Sequence, residues 1–314
     1  MNNNPFPYSL DNKRYYTINY YFRNKFKKKV AKVPLNAGFT CPNRDGSISI
    51  GGCTFCSSKG SGDSILKFSD SLFEQYDIGL KRMQKKWPDC LGFAYFQSFS
   101  NTYASLETLK KVYDPFFERE DVQGICIATR ADCLNDEIIN YFDQKSKKKE
   151  VWLEIGLQSI NEKTMDYCNR GHSTQVVFDV LDQLSQTNIH TCIHIINSLP
   201  YETKKMMLDT VRELIKHPFD AIKIHMLHLI SDTAMTKQYL KEPFHLLTLE
   251  EYVDIVIKQL EILPPETIIE RLTGDGLASD LLEPKWTIKK TIVTNEIDKE
   301  MKRRNTWQGK KYSF

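Results

Sequence analysis

The sequence lacks the features of a membrane or secreted protein. Its 314 residues contain no run of about 18 apolar residues, which is the length that a transmembrane helix requires. The N-terminus, MNNNPFPYSL, has no basic stretch followed by an apolar one, so it does not match a signal peptide. We expect a cytoplasmic protein that makes no membrane contact and keeps its eight cysteines reduced.

A strong net charge is also absent. The formal charge is +3, too small to indicate a protein that binds nucleic acid over its whole surface. The basic excess is local. Residues 23–32 contain six Lys or Arg and no acid, and the tail from residue 299 is also rich in Lys and Arg. Each segment is either solvated surface or a contact for phosphates, nucleic acid or an acidic partner.

Tandem repeats and low-complexity linkers are absent as well, and strand and helix patterns alternate instead. Short apolar runs predict buried strands at 30–35, 91–97, 122–129, 151–158, 189–196, 220–227 and 267–272. Apolar residues three or four apart predict helices at 76–87, 106–116, 177–184, 207–214 and 249–260. This alternation favours an α/β fold with a parallel sheet, either as an open or closed barrel or as a doubly wound sheet.

Three of the cysteines, Cys41, Cys53 and Cys56, lie close together with the spacing C-x11-C-x2-C. They directly follow the predicted strand 30–35, where the active-site loops of a barrel lie. Three thiolates are too few for a closed structural zinc site, which needs four ligands. The spacing leaves three possibilities open: a four-iron cluster with one open iron, a catalytic zinc with a bound water, or no metal.

The loop NAGFTCPNRDGSISIGGCTFC resembles the cluster loop of radical S-adenosylmethionine (SAM) enzymes. It is most similar to the uncharacterised YhcC-type family, a branch near the elongator catalytic subunit. Further segments match in order along nearly the whole chain: YFQSFSNTYAS, ATRADCLNDE, WLEIGLQS, NRGH, HIINSLPYET, IKIHMLH, RLTGDG and KRRNTWQGK. The resemblance implies a partial (β/α)6-type TIM barrel at residues 30–230, with an N-terminal extension at 1–29 and a C-terminal extension at 231–314 packed on the core.

The same resemblance implies the chemistry. Cys41, Cys53 and Cys56 would each bind one iron of a [4Fe-4S] cluster, and SAM would chelate the fourth iron. Reductive cleavage of SAM would then release a 5′-deoxyadenosyl radical that acts on an unknown substrate. An electron donor such as flavodoxin or ferredoxin would reduce the cluster. The alternative is a zinc- or cluster-binding module that contacts nucleic acid or protein without catalysis.

Eight residues are candidates for contact with SAM. Gln158 and Arg170 keep the separation found in related coproporphyrinogen oxidases, so Gln158 would bind the ribose and Arg170 the carboxylate. Glu154, on the same strand face as Gln158, either contacts SAM or forms a buried ion pair with Arg130 or Lys223. The other candidates lie on or directly after neighbouring strands: Gln97, Asn101, Arg130, His194 and Asn197. Arg130 has an alternative role as the partner of Asp132.

Within HIINSLPYE, the family usually has glycine where this chain has Ser198 and Tyr201. That difference puts a close approach of the backbone to adenine in doubt. Residues that line the barrel mouth are candidates for action on the substrate: His225, His228, Arg271, Asp275, Cys133 and Cys168.

The substrate is open between RNA, a small molecule and a peptide. RNA is suggested by the resemblance and by the segment RYYTINYYFRNKFKKKVAK at residues 14–32, whose Tyr and Phe beside Lys suit base stacking and phosphate contact. The remaining cysteines include no second C-x2-C pair, which argues against a second cluster. Cys126 and Cys192 lie within predicted strands and are expected in the core.

Overall fold

Seven parallel strands form the main sheet of the protein. The computed structural model describes residue 6, residues 13–58, residue 60, and residues 71–274 and 278–313. The strands of the main sheet are β1 (Val30–Leu35), β2 (Leu91–Phe96), β3 (Val122–Thr129), β4 (Glu150–Gln158), β5 (His190–Asn197), β6 (Ala221–Met226) and β8 (Ile268–Arg271). They pair in that order, and every neighbouring pair is parallel. A short antiparallel pair consists of β7 (Leu229–Ile230) and β9 (Leu281–Glu283).

Helices connect the strands and cover the outside of the sheet. Those found among the described residues are α1 (Ile18–Phe26), α2 (Leu72–Lys86), α3 (Leu106–Glu118), α4 (Asp136–Ser146), α5 (Glu162–Tyr167), α6 (Thr174–Leu184), α7 (Lys204–Leu214), α8 (Ala234–Lys241), α9 (Leu249–Ile262) and α10 (Lys290–Arg303). Most begin at a Ser, Thr or Asn whose side chain accepts a hydrogen bond from the first turn, for example Ser105 before α3 and Thr248 before α9. The longest has 15 residues, and none found in the described part of the chain qualifies as a membrane span.

The sheet curls until its two edge strands face each other. Nζ of Lys32 in β1 lies 2.6 Å from Oε1 of Glu270 in β8, although β1 and β8 form opposite edges of the sheet. A contact of this kind across the interior requires a sheet rolled into an incomplete barrel. The predicted partial barrel of parallel strands is confirmed. It has seven strands rather than six, and β8 comes from the segment assigned above to the C-terminal extension.

The two faces of each strand are used differently because successive side chains alternate. Outward-facing residues such as Val33, Phe96, Leu153 and Ile193 pack against the helices in the largest apolar cluster. Inward-facing residues at the amino ends of the strands form a second apolar cluster: Val30, Phe93, Cys126, Trp152, Cys192, Ala221 and Ile268. The expectation that Cys126 and Cys192 are core residues is confirmed.

Helix α1 closes the amino end of the barrel. Phe22 inserts into the inward-facing apolar cluster, with its ring centroid 5.0 Å from that of Phe93 and 6.0 Å from that of Trp152. Thr17 bridges to Ile269 of β8, which covers part of the open sheet edge. The amino end of the barrel is therefore a packed plug.

Candidate active site

The three cysteines lie in a loop that directly follows β1, at the carboxyl end of the sheet. Tight turns shape the loop, since the amide of Arg44 donates to the carbonyl of Cys41 across 2.9 Å and the amide of Cys56 donates to that of Cys53 across 3.0 Å. Gly51 and Gly52 have φ values of +87° and +84°, a conformation that glycine adopts without strain. The loop therefore holds its cysteines above the opening of the barrel, where parallel barrels place their active sites.

The cysteine loop rests on the segment 168–171 after α5. The amide of Thr54 donates to the carbonyl of Cys168 across 2.8 Å, and Nδ2 of Asn169 donates to the carbonyl of Gly52 across 2.9 Å. In return, Nδ2 of Asn43 donates to the carbonyl of Asn169. The CNRG sequence at 168–171 is thus the support on which the cysteine loop docks.

The thiols of the loop influence one another. The pKa of the Cys53 thiol falls to about 7, because the Cys56 thiol forms a hydrogen bond with it and the charges of Arg130 and Arg170 lie nearby, which together outweigh the effect of burial. The pKa of Cys56 is raised well above its ordinary value, because its thiol must keep its proton to make that hydrogen bond. Burial and the charges of Cys53 and Cys41 raise it further. The three thiols therefore lie near enough to influence one another, and Cys53 lies near two arginines.

The donor set suits a soft metal centre. In the described part of the chain, no three His, Cys, Asp or Glu side chains form a ready-made metal site, so the thiols must move together to bind one. All eight cysteines are free, and Cys41, Cys53 and Cys56 are the ones that share a loop. Three thiolates beside two arginines fit an anionic iron–sulfur cluster better than a closed zinc site.

Arg130 and Arg170 lie below the cysteine loop, but their donors are already engaged. Arg130 binds both carboxylate oxygens of Asp132, at 2.8 and 2.7 Å, and donates to the carbonyl of Arg170 across 2.8 Å. The guanidinium of Arg170 is almost fully buried and makes five hydrogen bonds, to the carbonyls of Leu157, Ser159 and His172, to Glu162 and to Thr174. Contact between Arg170 and a SAM carboxylate would require some of these bonds to break, so in the structure Arg170 is a structural clamp.

Asn101 and Asn197 are also structural ties. Nδ2 of Asn101 donates to the carbonyls of Ser98 and Ala128, which fastens the loop after β2 to β3. Asn197 exchanges two hydrogen bonds of 2.9 Å with Gln259 of α9. Both amides are buried, and the structure does not bring Asn197 to the barrel interior.

Gln97 and Gln158 remain at the rim of the barrel. Gln97 follows the inward-facing Tyr95 by two residues and is half-buried. Gln158 has a φ of +60°, and its amide lies over Gly156, where the absence of a side chain makes room for it. With its amide nitrogen turned toward β4, Gln158 donates to the carbonyls of Gly156 and Leu157. Both residues are therefore placed where a ligand above the barrel would meet them.

A charged cluster fills the middle of the barrel around Glu154. Its carboxylate accepts from Nζ of Lys32 across 2.9 Å, from the Tyr95 hydroxyl across 2.6 Å and from Nζ of Lys223. Nε2 of His194 lies 3.2 Å from the same carboxylate. The buried ion pair with Lys223, one of the two roles considered for Glu154, is present, and Lys32 takes the place considered for Arg130.

Glu270 completes the cluster from the last strand. Its Oε1 atom lies 2.6 Å from Nζ of Lys32 and 2.8 Å from Nζ of Lys223. Burial alone would raise the pKa of Glu154, but the ammonium groups of Lys223 and Lys32 outweigh it and hold that pKa well below its ordinary range. Two lysines and two glutamates therefore form a buried, internally neutralised group.

The histidines form a line from this cluster toward the barrel mouth. The ring centroids of His194 and His225 are 5.7 Å apart. Burial and neighbouring cations lower the pKa of His194, lower that of His225 well below its ordinary value and bring that of His228 to about 4, so all three rings are neutral at pH 7. Asp275, a candidate for substrate contact, lies outside the described residues.

Cys133 and Cys168 are buried beside the cysteine loop. Burial is the main cause that raises the pKa of each thiol to about 12. Both thiols are therefore protonated at neutral pH.

Ser198 and Tyr201 both adopt the left-handed backbone conformation that favours glycine. Their φ values are +73° and +62°. The hydroxyl of Ser198 accepts a hydrogen bond of 3.0 Å from the amide of Leu247, and the Tyr201 ring packs edge-on against Tyr167. The segment after β5 therefore has the turn that a glycine would allow, held by side-chain contacts.

Residues 40–214 match the family model of the radical SAM superfamily, and residues 219–303 match that of the radical SAM C-terminal domain. The chain is therefore a radical SAM enzyme, a class whose members bind a [4Fe-4S] cluster and SAM.

Individual relatives agree with this class. The chain is 44% identical to protein YtqA of Bacillus subtilis (strain 168) over 310 residues, which cover 99% of this chain and 96% of that protein. It is 31% identical to protein YhcC of Escherichia coli (strain K12) over 278 residues, or 88% of each chain. A tRNA uridine(34) acetyltransferase of Methanocaldococcus infernus is 23% identical over 203 residues, which cover 64% of this chain and 36% of that protein. The chain belongs to the radical SAM superfamily, in the group of YhcC-type proteins near the elongator branch.

Among solved structures, the archaeal Methanocaldococcus infernus Elp3 with an N-terminal deletion has the same fold. Its TM-score is 0.68 at 17% identity, and the match covers 89% of this chain and 64% of that chain.

Several residues that build this site carry no recognisable signal in the sequence. Lys32 and Glu270 belong to edge strands that meet only because the sheet curls, and Tyr95 reads as an ordinary strand aromatic. Asn43 and Asn169 read as polar loop residues. For Lys32 and Tyr95 one signal was available. Side chains alternate along a strand, so once a barrel is assumed, their positions predict that both point into it.

Proposed function

We propose that Cys41, Cys53 and Cys56 hold the [4Fe-4S] cluster of this radical SAM enzyme. The observation that carries the proposal is their placement in one loop at the carboxyl end of β1, docked on the segment 168–171 and beside Arg130 and Arg170. Positive charge at this position offsets the negative charge of a thiolate-bound cluster. When bound, the reduced cluster supplies the electron that cleaves SAM to methionine and the 5′-deoxyadenosyl radical.

We further propose that SAM lies at the rim of the barrel, between the cysteine loop and the carboxyl ends of β2 to β5. Gln97 and Gln158 offer amide groups to its polar atoms there, and Arg130 is positioned by Asp132 near the cysteines. The roles of Arg170, Asn101 and Asn197 are to fix the backbone on which those residues stand. Glu154 and His194 belong to the floor beneath this position.

Metal analysis and SAM cleavage test this assignment together. Protein purified without oxygen should contain iron and acid-labile sulfide in a ratio near one, and should release 5′-deoxyadenosine when SAM and dithionite are added. Cys41→Ala, Cys53→Ala and Cys56→Ala should each lose the product, whereas Cys192→Ala, in the buried plug, should keep it. A Cys41→Ala protein that still cleaves SAM contradicts the assignment, and tightly bound zinc without iron favours the non-catalytic alternative.

RNA is the substrate class that we propose. Its support is the relationship to a tRNA uridine(34) acetyltransferase. The aromatic residues of 14–32 contribute little to it, because Tyr15 and Phe22 are buried and Tyr21 contacts Trp152 in the plug. The exposed Arg23, with its basic neighbours, lies at the amino end of the barrel, opposite the cysteine loop. RNA would therefore reach the reacting atoms from the carboxyl end.

Crosslinking tests the RNA proposal. Ultraviolet irradiation of anaerobic protein with total cellular RNA should give crosslinked peptides from the barrel mouth, with binding that weakens steeply as salt rises. Arg170→Ala loosens the loops at that mouth and should reduce crosslinking there. Crosslinks confined to the tail, or none at all, contradict an RNA substrate.

An electron donor such as flavodoxin or ferredoxin is the second partner that we propose. The tip of the cysteine loop exposes Ile48 and Ile50, and Ile50 is 82% exposed. Reduction by flavodoxin should slow in an Ile50→Lys variant while reduction by dithionite is unchanged. Equal rates with both reductants contradict docking at this tip.

A further inference from the structure

The barrel is hollow above the plug at its amino end. Inward-facing residues of the plug are buried, but several nearer the carboxyl ends are partly solvent-accessible although they lie deep inside the sheet: Lys32, Pro34, Tyr95, Ala128, Gly156, His194, Ile196 and His225. For example, the His194 side chain is 21% exposed. These partly accessible residues lie on β1 to β6 and define a chamber between the plug and the rim.

The charged cluster forms the floor of this chamber. Glu154 lies four residues before Gln158, the last residue of β4, or about 13 Å along the strand, which in a barrel of tilted strands places the floor about 10 Å below the rim. That depth accommodates a planar ring below a cofactor held at the rim. The floor is electrically neutral, because the charges of Lys32 and Lys223 balance those of Glu154 and Glu270.

Two atoms, one in this floor and one on His225, which lies two residues beyond Lys223 toward the rim, have no partner among the residues that the structure describes. They are Oε2 of Glu270, whose side chain is 5% exposed, and Nε2 of His225. Nε2 of His194 also lacks a hydrogen bond of good geometry, although it lies 3.2 Å from Glu154. Buried polar atoms without partners are costly, and their grouping in one chamber indicates a ligand that satisfies them.

The chemistry of these atoms restricts the ligand. A free carboxylate oxygen accepts a hydrogen bond, and a neutral imidazole nitrogen accepts or donates one according to its tautomer. An anion would meet the free oxygen of Glu270, and a cation would unbalance a buried group that is already neutral. An uncharged group that presents an N–H donor beside an acceptor satisfies both atoms.

We propose that the bottom of the chamber, through Glu270 of the floor and His225 above it, recognises the hydrogen-bonding edge of an uncharged nucleobase of the substrate. This inference rests on the proposed action on RNA and adds the group that enters the barrel and the residues that select it. The floor would hold the edge of the base, while the rest of the nucleotide extends toward the rim.

Binding of free nucleosides tests the proposal. Anaerobic, cluster-loaded protein is dialysed to equilibrium with uridine or adenosine, in the presence of SAM and without reductant. The same measurement uses 3-methyluridine and N6,N6-dimethyladenosine, which lack the N–H donor of the base edge. At least one of the two nucleosides should bind at millimolar concentration or below, and its methylated form should bind at least tenfold more weakly.

Variants assign the binding to the floor. His225→Phe keeps the ring shape without its nitrogens and is outside the ion pairs, so it should fold and lose at least tenfold in nucleoside affinity. Glu270→Gln should weaken the preference for the unmethylated base. His217→Phe is the control, because that ring stacks on Phe178 outside the barrel with centroids 3.8 Å apart, and it should leave binding unchanged.

The outcomes separate this inference from the proposed function. Equal binding of methylated and unmethylated nucleosides, unaltered binding by His225→Phe, or no binding of either nucleoside overturns the role of the floor. SAM cleavage and RNA crosslinking are measured independently. If both succeed while nucleoside binding fails, the proposed enzyme activity and RNA substrate are retained. Their failure in wild-type protein overturns the proposed function itself.

Discussion

Nδ2 of Asn43 donates a hydrogen bond to Sγ of Cys53 across 3.6 Å. The second N–H of the same amide donates to the carbonyl of Asn169, so the side chain is held from two directions. Asn43 is fully buried, and the amide of Gly52 donates to its carbonyl across 2.7 Å. One loop residue thus joins a predicted cluster ligand to the segment that supports the whole loop.

Asn43→Ala should lower the reduction potential of the cluster. Hydrogen bonds to cluster sulfurs favour the reduced, more negative state, and this change removes one of them. We expect about a tenfold lower ratio of reduced to oxidised cluster at a fixed potential, equivalent to about 60 mV for one electron. A redox titration followed by electron paramagnetic resonance measures the shift.

Ser49→Ala is the matched control for Asn43→Ala. It removes the 3.2 Å hydrogen bond from Ser49 to Asn169 on the same support but leaves Asn43 in place. Its potential should match wild type. An unaltered potential in Asn43→Ala, with the cluster fully bound, would show that the hydrogen bond has no electronic role.

Gly171→Ala should undock the cysteine loop. Gly171 has a φ of +79°, and a Cβ atom there would lie 2.5 Å from Oδ1 of Asn43. Backbone strain alone costs about 1–2 kcal/mol, and the clash adds to it. We expect lower iron content and a lower melting temperature.

Gly38→Ala is the control, because Gly38 has a φ of +76° with nothing within 4 Å of the added Cβ, so it carries the strain without the clash. Equal losses in both variants would refute the docking role of Gly171.

Glu154→Gln should destabilise the fold strongly. The change leaves Lys32 and Lys223 with Glu270 as the remaining carboxylate of the cluster, and an uncompensated buried charge costs about 3–5 kcal/mol. Urea unfolding measures the loss. The double variant Glu154→Gln/Lys223→Met restores neutrality and should recover part of it. The exposed pair of Glu107 and Lys111 provides the control, since Glu107→Gln should leave stability nearly unchanged.

The same carboxylate makes stability depend on acid pH. Because the folded pKa of Glu154 lies below the ordinary value of 4.5, its contribution is present above about pH 4.5 and is lost as the pH falls. The free energy of unfolding should therefore drop more steeply below pH 4.5 in wild type than in Glu154→Gln. Parallel curves for the two proteins would contradict a stabilising role for the ionised group.

The sequence alone predicted the strands well because each is a short apolar run between polar segments. The runs at 30–35 and 122–129 coincide with β1 and β3 as observed. Helix α1 was not predicted, because its apolar residues face the interior of a barrel whose closure is a property of the whole sheet. Periodicity reports which face is apolar but not what that face meets.

The candidate site was predictable as a region and less so as individual contacts. Position along the chain places Arg170 and Asn197 near the carboxyl ends of strands, where ligands bind. Whether a side chain still has free hydrogen-bond donors depends on the local backbone. All the guanidinium N–H groups of Arg170 donate to nearby carbonyls and side chains. The ion pairs of Glu154 could be predicted only from the register of distant strands, since Lys223 lies on β6 and Lys32 on β1.

His190 should make the plug at the amino end sensitive to alkaline pH. Burial alone would lower its pKa, but the carboxylates of Asp220 and Glu150, 3.5 and 3.6 Å from its ring nitrogens, outweigh burial and raise that pKa from 6.5 to about 9. The ring also stacks on Trp152 with centroids 4.6 Å apart, and Tyr21 of α1 donates to Glu150 across 2.8 Å. The charged imidazole therefore helps to hold the carboxylate that anchors α1.

The sign of this effect follows from the raised pKa. The contribution of His190 is fully present below pH 6.5 and is lost as the pH rises through about 9. Each pKa unit corresponds to about 1.4 kcal/mol, so the rise from 6.5 to about 9 corresponds to a loss of at most about 3.5 kcal/mol, and less because the side chain is 26% exposed. Urea unfolding between pH 6 and pH 10 should give a falling free energy in wild type and a nearly flat one in His190→Gln. The exposed His245→Gln is the matched control and should retain the wild-type slope. If His190→Gln kept that slope, another group would control the alkaline loss and the anchoring role of His190 would be refuted.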